Sequence, residues 1–207
     1  MTNFLIACDH KDPGLGQFLN DILIILCERC ELLGNDFNTE LVDTDSYLAY
    51  PLVNIIQSFN SSPFLFLVLA HGSDNAVFIN DAEIINISNS DLFNKSFFYA
   101  ISCSTAVNLG PALIENGCKT YIGYNDEVTI ILPYQDIFKN CQIFGIEKFI
   151  NDKITSNECF QQMIEKYNTE IDELYNEDAF AASYLLANRA SLEIKGELNC
   201  YLSDFSI

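Results

Sequence analysis

Two apolar runs constrain this chain more than any other feature. Phe64 to Ala70 leads directly into His71-Gly72-Ser73. About thirty residues later Phe97 to Ile101 leads into Ser102-Cys103-Ser104-Thr105. Each run has strand length and no polar alternation, the pattern of a strand inside a parallel α/β sheet. Such sheets carry their chemistry just past the carboxyl ends of their strands. A His at one strand end and a Cys at a nearby one form a base and nucleophile pair.

The flanking sequence supplies the crossovers that a parallel sheet needs. Apolar runs predict strands over 3–8, 39–42, 64–70, 96–102 and 120–124. Helical patterns cover 16–33, 47–59, 107–116, 134–151, 156–174 and 178–189. Asn80-Asp81 marks a hairpin turn, 90–93 a short helical piece and 191–195 a closing strand. Gly34-Asn35-Asp36 stops the first helix, Ser61-Ser62-Pro63 turns the chain into the third strand, Gly117 ends the 107–116 helix and Ser156 caps the next but one. Strand alternating with helix implies right-handed parallel crossovers. With no repeat, low-complexity stretch or Pro/Gly-rich linker, residues 1–207 read as a single domain.

Composition removes several function classes. The net charge is -19, from 29 acidic and 10 basic residues, and no Lys/Arg cluster offsets it. A phosphate backbone would be repelled, so no nucleic-acid partner is expected. No apolar run reaches the roughly 18 residues that span a bilayer, and the N-terminus lacks a signal-peptide pattern, so no membrane partner is expected and the location reads as cytoplasmic. The eight cysteines read as reduced thiols. Cys27-x-x-Cys30 falls inside a helix, where core packing explains it better than redox chemistry, and Cys118 reads as core. With His10 and His71 the only histidines and no second C-x-x-C, no metal site is expected, and no cofactor. Neither G-x-x-x-x-G-K-S/T, G-x-G-x-x-G nor G-x-S-x-G occurs.

The two strand ends hold what acyl transfer requires. A thiol attacks a carbonyl as thiolate, and an unperturbed Cys is mostly protonated at neutral pH, so Cys103 needs a base; His71 is placed to be one. The oxyanion that forms needs preorganised donors. Gly72, without a Cβ, lets backbone N–H groups come close, and the N–H of Cys103 is the natural second donor. Small residues around the Cys, Ser102 among them, leave room for a peptide. His10 reads as a loop residue without a chemical role.

Strand-His71-Gly72, strand-Cys103 and the stretch Leu109-Gly110 through Leu113, Gly117 and Ile122-Gly123 resemble the caspase-like cysteine peptidases of clan CD, and most closely their prokaryotic and CHAT-type branch. The tail from Ala181 to Gly196 resembles the closing helix and strand of that branch. The resemblance implies a caspase-hemoglobinase-like three-layer αβα sandwich with a mostly parallel central sheet. It implies a Cys-His dyad without an obligatory third member, His71 as general base and acid and Cys103 as nucleophile. A protein or peptide substrate, an upstream activating protease or regulatory partner, and a role in prokaryotic antiviral defence or cell death follow from it. Departures are Ser104 where caspases have Arg, Ile101 where metacaspases have Asp, and the absence of Trp. The loops after the first and fifth strands carry Asp9, Asp12, Asp126 and Glu127, so cleavage after a basic P1 residue is expected, with Asp126 the main contact and Asp9 the second. The 125–133 loop is short for an activation linker, so the chain is expected to work uncut or to be cut elsewhere, near Lys139 or Lys153. The alternative is a silent caspase-like adaptor that binds protein without cutting it.

Overall fold

Strands β1 (Thr2–Cys8), β3 (Phe64–Leu69) and β7 (Ser96–Ile101) are buried at every position. Their uninterrupted apolar sequences leave no face for water, so they form the middle of a sheet covered on both sides. The computed structural model describes residues 1–32, 36–43, 52–59 and 62–206, with the side chains of 29–32, 43, 53, 58 and 59 outside that set. Around the central three lie β2 (Phe37–Asp43), β8 (Thr120–Tyr124) and β9 (Leu192–Gly196). The sheet order is β2-β1-β3-β7-β8-β9. Every neighbouring pair is parallel except β8 with β9, the antiparallel closing edge.

Side chains alternate across the sheet and so build two cores. Phe4, Ile6 and Cys8 face helices α1 (Gly16–Leu32), α4 (Gln135–Asn151), α5 (Ser156–Glu177) and α6 (Ala179–Ser191). Leu5 and Ala7 face the other way, with α2 (Leu52–Phe59), α3 (Leu109–Glu115) and the 3₁₀ turn Ile87–Phe93. Phe66, Phe93 and Phe98 pack with centroids 4.8–4.9 Å apart on that second side.

A second, three-stranded sheet stands beside the first. It contains β4 (His71–Gly72), β5 (Ala76–Ile79) and β6 (Ala82–Asn86). The hairpin turn falls at Asn80 and Asp81 (φ 51° and 59°), as their side chains tolerate. Sequence reasoning finds this hairpin but not its third strand, because β4 has only 2 residues and no apolar pattern.

Several local expectations meet the structure directly. Gly117 follows α3 at φ 96°, a left-handed position open to glycine. The N-cap of α5 is Thr155, not Ser156. The Thr155 hydroxyl accepts from Glu158 N–H (3.2 Å) and the Glu158 carboxylate accepts from Thr155 N–H (2.7 Å), while the Ser156 hydroxyl donates to the Glu197 carbonyl. This reciprocal box satisfies two orphan donors where Ser156 would satisfy one. Lys139 is no place for an activating cut: it lies mid-helix, 6% exposed, with its ammonium on Asp21 and Asp136. Lys153 is exposed in the α4–α5 connection. Cys103, Cys118, Cys141, Cys159 and Cys200 are free thiols, and Cys27 packs against the core. Gly34, Asn35, Ser61, the start of the 47–59 helix and the Cys30 side chain lie outside the described residues.

Candidate active site

The register of β3 against β7 ends on the pair Leu69–Ile101. His71 and Cys103 each stand two residues beyond that pair, on neighbouring parallel strands. The Ser102 hydroxyl donates to the Ala70 carbonyl at 2.8 Å and keeps the two strand ends together. The backbones touch: a Cβ built on Gly72 would lie 2.4 Å from the Cys103 carbonyl oxygen. His71 and Cys103 both form part of the wall of one small cavity.

A sharp turn presents the thiol. Ser104 adopts φ 57°, an uncommon value for a residue with a side chain and a mark of local strain. Its N–H donates to the Asp126 carbonyl (3.0 Å), and Ala106 N–H donates to the Tyr124 carbonyl (2.8 Å), tying the turn to the end of β8. Thr105, fully buried, donates to the Ser102 carbonyl and accepts from Tyr121. The Cys103 sulfur accepts from Val128 N–H at 3.3 Å. Burial pushes the thiol pKa up, and the Glu127 and Asp126 charges add to that; the bond from Val128 and the thiol's own backbone N–H pull the other way.

His71 pairs with Asp12, Nε2 to Oδ2 at 2.9 Å. Asp12 is held by its other oxygen, which accepts from Gly14 and Leu15 N–H at 2.8 and 2.6 Å. Burial raises the Asp12 pKa, but those two backbone donors and the imidazole outweigh it and leave the carboxyl below its ordinary value. A carboxylate only accepts, so Nε2 carries the hydrogen and Nδ1 is left for other work. The ring is half exposed and the carboxylate largely covered.

Gly72 lies in β4. Ser73 N–H donates to the Ala76 carbonyl at 2.8 Å, so Ser73–Ala76 is a hydrogen-bonded pair of the β4–β5 ladder. Alternate antiparallel pairs exchange hydrogen bonds. The Gly72–Val77 pair is therefore the non-bonded one, and the Gly72 N–H points away from β5. The backbone N–H of Cys103 donates to no main-chain carbonyl among the described residues and lies against its own sulfur. Outside lies an open cleft of about 550 Å³, with Ser73, Asp74 and Asn75 on one side, Glu127 and Thr129 on the other, and Cys103 between. The Asp74 carbonyl accepts from Asn108 and Leu109 N–H and fixes the first wall to the start of α3.

The other residues singled out in the sequence are placed differently. Ser102 is 3% exposed and its hydroxyl is engaged with Ala70, so it staples strands and offers no free hydroxyl to a substrate. Asp9 is 4% exposed, lines neither cavity and accepts from Asn80 N–H at 3.0 Å, tying the first loop to the hairpin tip. Asp126 is exposed, outside both linings, and accepts from Glu127 N–H. The expected P1 carboxylates are therefore not in the cavity that joins His71 and Cys103. Two residues escaped sequence reasoning in the roles their positions suggest. Asp12 appeared only as a loop acid, although Asp-Pro-Gly before a helix is a signal for a carboxylate fixed by backbone donors. Gln142 lay unmarked in an apolar helix, yet it is fully buried in the inner cavity wall.

No protein-family model matches the chain, and no curated protein matches it. Among solved structures it is similar to the Arg-specific cysteine proteinase gingipain R (RgpB), at 15% identity and a TM-score of 0.56, over 95% of this chain and 46% of that one. It also aligns with the complex of the Porphyromonas gingivalis RgpB pro- and mature domains, at 14% identity and a TM-score of 0.47, over 100% of this chain and 48% of that one. The chain spans about half the length of the solved chains it matches. The likeness to gingipain R is one of fold: this chain has the caspase-hemoglobinase-like three-layer architecture, with a mostly parallel central sheet.

Proposed function

We propose that this chain is a cysteine endopeptidase with Cys103 as nucleophile and His71 as proton carrier. The observation that carries the reading is the register: the imidazole and the thiol stand at matching positions beyond Leu69 and Ile101 and border one cavity. Asp12 is a positioning residue that holds Nε2–H and steadies the imidazolium when it forms.

The chemistry follows from these groups. His71 Nδ1 takes the thiol proton, and the sulfur attacks the scissile carbonyl carbon. The carbonyl electron pair moves to oxygen, which the N–H groups of Gly72 and Cys103 receive. As the oxyanion collapses, the C–N bond breaks and the imidazolium gives its proton to the leaving amine. Water, deprotonated by His71, then attacks the thioester; the C–S bond breaks and the thiol is restored.

In the structure His71 bonds Asp12 and the Cys103 sulfur bonds Val128, so this is a resting arrangement with the thiol protonated. Substrate must displace the segment around Val128. A basic P1 residue is not part of the proposal, since Asp9 and Asp126 stand outside the inner cavity. Asp74 and Glu127 make the outer cleft acidic, which favours peptides with basic residues flanking the cut. The wider setting, a cytoplasmic prokaryotic defence or cell-death pathway served by a CHAT-like branch member, rests on the sequence resemblance alone.

The test is a peptide library with the wild type beside Cys103→Ala and His71→Ala, and an acyloxymethylketone probe mapped by mass spectrometry. Hydrolysis should vanish in Cys103→Ala and fall by about 10²–10⁴-fold in His71→Ala, with the probe on Cys103. Hydrolysis that survives Cys103→Ala sinks the proposal. An unlabelled Cys103 with no hydrolysis under any condition favours the silent adaptor.

A further inference from the structure

The inner cavity holds about 20 Å³ and lies beside both His71 and Cys103. Its remaining wall is almost wholly apolar: Leu15, Phe18, Leu19, Ile101, Val128 and Ile130. The exceptions are Ser102, whose hydroxyl is already engaged with the Ala70 carbonyl, and Gln142. The Gln142 side chain is fully buried, and neither Oε1 nor Nε2 has a hydrogen-bond partner among the described residues. Folded chains keep few such groups, and each calls for an explanation. Gln142 gains nothing for the core that Leu or Met would not give. Its main-chain carbonyl already accepts from Tyr99 OH at 2.6 Å, so the helix is anchored without its side chain.

We infer that this cavity receives the P1 side chain and that Gln142 makes it selective for a neutral carboxamide, Gln or Asn. The inference rests on the peptidase reading and names its substrate class. An unpartnered amide offers one acceptor and two donors, and another carboxamide answers both at once. Charged side chains fit poorly. No carboxylate lines the cavity to receive Lys or Arg, and its one basic wall residue, His71, is paired with Asp12. A buried unpaired charge is costly. A purely apolar P1 side chain would leave the Gln142 amide stranded, and sites built to hydrogen-bond a substrate discriminate strongly against analogues lacking the group.

The resting volume has room for about one water, so a carboxamide enters only when Val128 and Ile130 move outward. That motion also withdraws the Val128 N–H from the Cys103 sulfur. Filling the P1 seat and freeing the nucleophile are one event.

The experiment separates this inference from the peptidase reading by measuring binding as well as turnover. Fluorescein-labelled peptides identical except at P1 (Gln, Asn, Leu, Arg or Glu) are titrated against Cys103→Ala and against Cys103→Ala/Gln142→Leu, with anisotropy as the readout. The same peptides are turned over by wild type and Gln142→Leu. Gln or Asn should bind Cys103→Ala about tenfold or more tightly than the others, and Gln142→Leu should move Leu to first place by a similar factor. A ranking led by Arg, or no ranking, overturns the inference. So does a ranking that Gln142→Leu leaves unchanged; with a raised melting temperature, it would mean that the amide is met by buried water only. Carboxamide-selective binding without hydrolysis by the wild type supports the seat and sinks the peptidase reading. Hydrolysis whose P1 ranking ignores Gln142 does the reverse.

Discussion

Gly72→Ala isolates the proposed oxyanion donors from the nucleophile. The new Cβ would lie 2.4 Å from the Cys103 carbonyl oxygen, 2.9 Å from Thr105 Cγ2 and 3.0 Å from Ser102 Cβ. Ordinary contact begins at 3.4 Å, so the strand ends must separate by about 1.0 Å, the difference between 3.4 and 2.4 Å. Thr105 and Ser102 are buried, and the first clash is with main chain, so no side chain can swing aside. Overpacking of this kind costs about 1–3 kcal/mol. For a chain of this size that lowers Tm by roughly 2–4 °C for each kcal/mol. A 1 Å shift takes a donor out of the narrow range in which it can hold an oxyanion, and losing one such donor costs about 10²–10³ in kcat. The assay pairs peptide hydrolysis with iodoacetamide alkylation of Cys103, which displaces iodide and forms no oxyanion. Hydrolysis should fall about a hundredfold or more, while alkylation stays within roughly threefold of wild type because the thiol and its Val128 bond remain. Wild-type hydrolysis by folded Gly72→Ala would refute the assignment, as would equal losses in both reactions.

Asn188, fully buried, accepts from Thr129 N–H at 3.0 Å and donates to the Thr129 carbonyl at 2.7 Å, so it pins the segment that covers the thiol. Asn188→Ala should speed iodoacetamide alkylation of Cys103 several-fold, read by intact-mass spectrometry, and cost about 1–3 kcal/mol in urea unfolding. Burial first, then Glu127 and Asp126, hold the Cys103 thiol pKa up, so alkylation should still be climbing with pH where an ordinary Cys has levelled off, and Glu127→Gln should shift the profile to lower pH. Asp21 is lowered chiefly by its hydrogen bond from Lys139. Its stabilisation is present above the unfolded Asp pKa and lost as pH falls through the folded value. Urea titrations should therefore show Asp21→Asn flattening the acid limb of stability. Burial pushes Cys118, Cys141 and Cys159 up to about 12 from 9.0. These raised values favour the fold below the unfolded thiol pKa, and that contribution declines as pH climbs towards 12, so melting temperatures should fall over that range.

The legible parts of the sequence were those where local pattern and burial agree. Phe64–Leu69 and Ser96–Ile101 are continuous apolar runs because both faces of the sheet are covered, and no other element writes that pattern so plainly. Asn80-Asp81 and Gly117 announce themselves because their backbone angles suit few residues. Thr155-x-x-Glu158 is legible too, as a capping box, although a second hydroxyl, Ser156, stands one position later.

The places of His71 and Cys103, just past two neighbouring strand ends, were therefore determined by the sequence, through the runs that precede them. What stands across from each was decided only by the tertiary structure. Asp12 reaches His71 across 59 residues, and Val128 reaches Cys103 across 25, because neighbouring strand ends bring their loops over one edge of the sheet. Asp9 and Asp126 look equivalent to Asp12 in the sequence, yet folding turns one onto Asn80 and the other onto its own loop. Gln142 reads as an ordinary position in a helix until α1, β7 and the segment after β8 close around it. Residue type fixes which reactions a side chain can perform; the field, solvent access and partners that select among them come from distant parts of the chain, and no local pattern records them.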